Sequence, residues 1–195
     1  MSFRTIFAYL VGLLLLNTTL WAQHSPSTLN ATVCAQLKTE LCKMAADNAP
    51  NVSQSGQSEQ AKAAENAKRQ QFYANNFNRL LSITRQYGFP SSKNWGKYLA
   101  DRSSSTDLDN ATATILTQVA QSQAQAYLLF ETNTVALFAD EIKKGNLKRE
   151  LLNKAMYYYS SISKPCETDK YIVSEAINAW QLGYNINDIP FQACW

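Results

Sequence analysis

The sequence predicts an all-α fold, a single-domain bundle of about five main helices stapled by two disulfides. Three observations carry this reading. Apolar side chains recur at three- and four-residue steps in five stretches of the chain. Those stretches stop at Gly or Pro, and no segment alternates apolar and polar residues long enough to make a useful strand. Four cysteines, Cys34, Cys42, Cys166 and Cys194, follow an N-terminal export signal.

The signal is predicted over Met1–Ala22. Arg4 supplies the positive start, Ile6 to Leu16 is an almost unbroken apolar run, and Ala22 is a small residue at the cleavage point. The run is shorter than the roughly 20 residues a bilayer span needs, and Asn17, Thr18 and Thr19 follow it. The expectation is therefore a periplasmic or extracellular protein with no membrane span after signal cleavage. Residues 23–195 form its single helical domain, with a mobile polar loop at about 48–60.

The first helix is expected over 27–47, with Leu29, Val33, Leu37, Leu41 and Met44 on one face and Ser27 or Thr28 as its cap. The polar stretch with Pro50 and Gly56 reads as the loop. The second helix is expected over 61–87, carrying Tyr73, Phe77, Leu80, Thr84 and Tyr87. Gly88 offers a left-handed cap and Pro90 prevents continuation. Lys93 to Arg102 suggests a short helix with Trp95, Tyr98 and Leu99.

A long helix is expected from Thr106 to Lys144, with Asp107 and Asp109 in its first turn and a kink near Gln121–Gln125. Gly145 stops it. Residues 147–161 make the next helix, with Leu151, Ala155 and Tyr158 at helical spacing. The last helix is expected over 168–182, with Ile172, Ala176 and Trp180 on one stripe and Gly183 as its stop. An irregular tail follows.

Helix geometry constrains the cysteines. Cys34 and Cys42 are eight residues apart, about 12 Å along a helix at 1.5 Å per residue. Bonded cysteines need Cα atoms within about 7 Å. Each is therefore expected to reach a C-terminal cysteine, with Cys34–Cys194 and Cys42–Cys166 slightly favoured over the swapped arrangement. The spacings lack the close pairs of a structural zinc site, so no metal is expected.

Composition excludes several functions. The net charge is +3, from 18 Lys+Arg against 15 Asp+Glu, too weak and mixed for phosphate-driven nucleic-acid binding. The single histidine, His24, lies just past the predicted cleavage point, a poor place for positioned catalysis. No Gly-rich phosphate loop and no cofactor motif is present. The chain is not expected to be an enzyme.

Recognition remains. Tyr157, Tyr158 and Tyr159 are consecutive, and helical neighbours lie about 100° apart, so at least one of them should be exposed. These three are the expected binding residues. The leading expectation is an exported, disulfide-stabilised helical protein that binds another exported protein. A periplasmic inhibitor or immunity protein, or an accessory of an envelope secretion system, would have this form. One alternative is a small apolar ligand carrier with a cavity lined by Phe72, Phe77, Phe130 and Trp180. The other is a carboxylate hydrolase acting on envelope glycans, drawing on Glu131, Asp140 and Glu141, although solvated surface charge is the simpler reading of those acids.

Overall fold

The computed structural model describes residues 28–47, 58–163 and 165–193. The signal, His24, most of the expected mobile loop and Cys194 lie outside them. Among the described residues there are six helices of eleven residues or more: α1 (Ala31–Ala46), α2 (Glu59–Tyr87), α3 (Arg102–Gln121), α4 (Thr132–Lys143), α5 (Arg149–Ile162) and α6 (Lys170–Trp180). A one-turn helix, Ser92–Trp95, and short 3-10 turns join them. The all-α expectation holds. No helix among the described residues is long and apolar enough to cross a membrane.

The helix count rises because the long predicted helix breaks. α3 ends at Gln121, a 3-10 turn occupies Ala126–Phe130, and α4 begins at Thr132. The Ser122 carbonyl accepts from the amides of Gln125 and Ala126 at 3.1 and 2.9 Å, which turns the chain. Glu131 is then non-helical, with ψ 135°. The reversal lays Leu128, Leu129 and Phe130 into the core.

Caps explain the other shifted boundaries. Asn30 caps α1 by accepting from the Val33 amide at 3.0 Å. α3 starts one turn before Thr106 because Asp101 accepts from the Ser104 amide at 2.7 Å, a bond that holds the Asp101 carboxyl below its usual range. α6 stops at Trp180, before Gly183, because Gln181 takes the left-handed conformation at φ 54°. Arg149 steadies that end, donating to the Trp180 carbonyl at 3.2 Å and to Gln181 Oε1 at 2.8 Å.

α3 is the centre of the bundle. It packs against α1, α2, α5, the one-turn helix and the 3-10 turn. Its Leu108, Ile115, Leu116 and Val119 are fully buried. Side-chain ties reinforce the packing. Asp109 accepts from the Ser92 amide and hydroxyl at 2.7 and 2.6 Å. Arg79 and Glu40 form a two-bonded ion pair between α2 and α1 at 2.6 and 2.9 Å.

The two predicted staples do not form. Cys34 and Cys42 are free thiols, and no disulfide joins any two described cysteines. They lie on one helix, as expected, but that helix packs mainly against α3. Cys34 is sealed in the core, and the Cys42 thiol lies 3.9 Å from the Asp107 carbonyl. The C-terminal tail is held elsewhere by backbone bonds. Gln192 donates to the Pro165 carbonyl at 2.9 Å and accepts from the Glu167 amide at 2.8 Å.

Burial pushes both free thiols up, so both should react slowly. Native alkylation is expected to modify Cys42 first and Cys34 only on unfolding. Non-reducing peptide mapping should recover both as unlinked peptides. A Cys34 or Cys42 peptide joined to a C-terminal one contradicts this packing.

Candidate functional site

The three expected binding tyrosines point in three directions. Tyr157 is 59% exposed, Tyr158 is half-buried, and Tyr159 is 3% exposed. The Tyr157 and Tyr158 rings meet edge to face with centroids 5.5 Å apart. Tyr159 belongs to the core, its ring 4.7 Å from that of Phe130. Burial, with Asp169 adding a smaller effect, pushes its hydroxyl up, so it stays neutral. The three therefore make no single face.

A different set of side chains gathers at the surface. The 3-10 turn, the start of α4 and the start of α6 border an open groove of about 430 Å³, lined by Tyr127, Phe130, Glu131, Thr132, Asn133 and Ile172. Tyr127 is 53% exposed and Ile172 36%. Tyr171, beside Ile172 in sequence, is 70% exposed, with its hydroxyl donating to Glu175 at 2.7 Å. The stripe through Ile172, Ala176 and Trp180 was expected to face the core. The core face of α6 is Val173, Ala176, Ile177 and Trp180, which turns Ile172 outward. Two overlapping stripes are present in the sequence, and the competition between them is the only sequence signal of this groove.

The apolar carrier cavity is not assembled. Phe77, Phe89, Phe138, Trp180 and Phe130 form a connected chain of ring contacts at 6.1–6.3 Å that fills the core. Phe72 is not part of it; its ring contact is with Tyr73 at 6.1 Å.

The carboxylates behave differently from one another. Glu131 lines the aromatic groove. Asp140 pairs with Lys144 on the surface. Glu141 is only 1% exposed, which overturns its reading as solvated surface charge. It accepts from the Phe89 amide at 2.7 Å, Asn146 Nδ2 at 2.9 Å and Lys144 Nζ at 3.0 Å. With its lone pairs engaged by three donors, Glu141 anchors the chain and is not poised as an acid or base. Gly88 is required beside it, at φ 77°, because a side chain there would meet Asn94 Nδ2 at 2.6 Å. Among the described residues, no group of three or more His, Cys, Asp or Glu could hold a metal ion.

A second groove, of about 410 Å³, opens between α2 and the end of α3, with Arg69, Tyr73, Ser122 and Ile162 among its walls. A third, of about 490 Å³, runs between α1 and α3 past Lys38, Cys42 and Asp107. Lys38 and Asp107 pair at 3.2 Å there, and the Cys42 thiol is not activated.

Comparison with protein-family models, curated proteins and solved structures finds no match for this chain.

Removing the Glu141 carboxylate strands the Phe89 and Asn146 donors in the interior. Glu141→Ala is expected to lower the unfolding free energy by about 2–3 kcal/mol, and Glu141→Gln, which keeps one acceptor oxygen, by about 1 kcal/mol. Urea unfolding of the two variants checks this. Unchanged stability in Glu141→Ala contradicts the anchoring role.

Proposed function

We propose that this chain is a non-catalytic, exported helical bundle that recognises another exported protein through the groove between Tyr127 and Ile172. No part of this reading rests on a disulfide. One observation carries it: a large aromatic and a large aliphatic side chain, Tyr127 and Ile172, stay exposed along one groove. Such side chains give large contact area at low entropic cost and recur at interface centres. Glu131 adds one acid at the rim, so an apolar side chain flanked by Lys or Arg fits the groove. Export is supported by the character of Met1–Ala22. The non-catalytic reading is supported by Glu141, the one buried acid of the three candidates, being held by three donors.

Site-specific photocrosslinking in the cells that make the protein tests this. A crosslinker replacing Tyr127 is expected to give a discrete protein adduct, lost in the Ile172→Asp variant. A crosslinker at exposed Thr114, on α3, should give none. Intact mass of the recovered chain should begin at Gln23. No adduct from position 127, the same adduct from position 114, or adducts surviving Ile172→Asp would contradict the recognition surface. Retention of residues 1–22 would contradict export.

A further inference from the structure

We infer that the groove between α2 and the end of α3 binds the free carboxylate of a peptide carboxy-terminus, with Arg69 as its cation. This goes beyond the protein-recognition surface and does not depend on it.

The sequence places Arg69 on the polar first half of α2, where it looks like ordinary surface charge. In the fold it lines the groove, with its Nε shielded from solvent and without a hydrogen-bond partner. It forms no ion pair among the described residues. Glu65, one turn earlier on the same helix, is not within pairing distance. Across the groove, Ser122 is 5% exposed and its hydroxyl is equally unpartnered. Two such donors on one groove are costly, because folding has removed each from water without returning a bond. An acceptor that enters the groove and draws the flexible Arg69 side chain toward it recovers part of that cost.

The lining selects the ligand. Arg69 is the one charged side chain among the described residues that line the groove. A single guanidinium matches a monoanion, and its planar fork matches a carboxylate. A phosphate dianion calls for more than one cation. The remaining polar walls are amides, including Gln70 and Gln121, which donate and accept equally well and suit the peptide bond next to a terminal carboxylate. Tyr73 and Ile162 supply an apolar wall for the last side chain.

The side-chain Nε–H resonance of Arg69 in a nitrogen–proton correlation spectrum of the exported chain reads the site directly. N-acetyl-trialanine with a free carboxylate is expected to shift it saturably. The carboxy-terminal amide of the same peptide, methyl glucuronide and inorganic phosphate should not. Arg69→Gln should weaken peptide binding by about tenfold or more, followed by Trp fluorescence or calorimetry, and Ser122→Ala by a smaller factor. Both should keep the wild-type circular dichroism spectrum and thermal midpoint, since neither side chain has a partner to lose. The inference is overturned by the absence of a saturable shift, by equal response to acid and amide, or by unchanged affinity in Arg69→Gln. A stronger response to glucuronide or phosphate overturns the peptide assignment in the same experiment.

Discussion

The fold depends on one helix, α3, against which most of the other elements pack. α3 meets α1, α2, α5 and the returning 3-10 turn. Leu108, Ile115, Leu116 and Val119 are each worth roughly 1.5–3 kcal/mol of transfer free energy when fully buried. Ala111 and Ala120 are small enough to let neighbouring helices approach closely. Thr112 is fully buried, yet its hydroxyl costs little, because it bonds back to the Leu108 and Asp109 carbonyls at 3.1 Å each. A central helix must stop where its cover stops. The turn at Ser122 ends it and brings Leu128, Leu129 and Phe130 back over the core.

Around that centre, polar anchors fix segments that apolar packing leaves free. Glu141 joins Phe89, after α2, to Asn146, after α4, through bonds spanning 52 residues of chain. Asn76 on α2 donates to the Met44 carbonyl at 3.1 Å and so covers the end of α1. Trp180 Nε1 donates to the Val135 carbonyl at 3.1 Å, locking α6 to α4. These bonds hold the described helices together without any crosslink from Cys34 or Cys42. The Trp180–Val135 bond ties α6 to α4, the two helices whose first turns border the groove between Tyr127 and Ile172.

Local periodicity made most of this architecture legible. The stripes Leu37–Leu41, Phe77–Leu80 and Ile115–Val119 are core as read, and the glycine at 88 takes the positive φ its position called for. The break after Gln121 was read only as a kink, because Ala126, Leu129 and Phe130 continue the helical spacing through a segment that is not α-helical. Tertiary pairing left no local trace. Glu141 looks exposed between Asp140 and Lys144 until Phe89 arrives from elsewhere in the chain, and Arg69 looks solvated until Ser122 and Ile162 join it along one groove. The expected long-range pairing of Cys34 and Cys42 failed for the same reason. Cysteine count and compartment say nothing about which segments meet, and α1 meets α3. Three adjacent tyrosines drew attention by composition, whereas the side chains that shape the aromatic groove are Tyr127 and Ile172, 45 positions apart in the chain.

Residue-resolved amide hydrogen exchange tests the central claim most directly. If α3 is the buried centre and ends at Gln121, the amides from Ile115 to Ala120 are among the slowest in the protein and exchange only by global unfolding. Protection should then fall sharply at Gln123 and Ala124, whose amides lie in the turn, and rise again within α4. Continuous slow exchange from Val119 through Val135 would show one unbroken helix. It would contradict the reversal that places Phe130 in the core and Tyr127 at the groove.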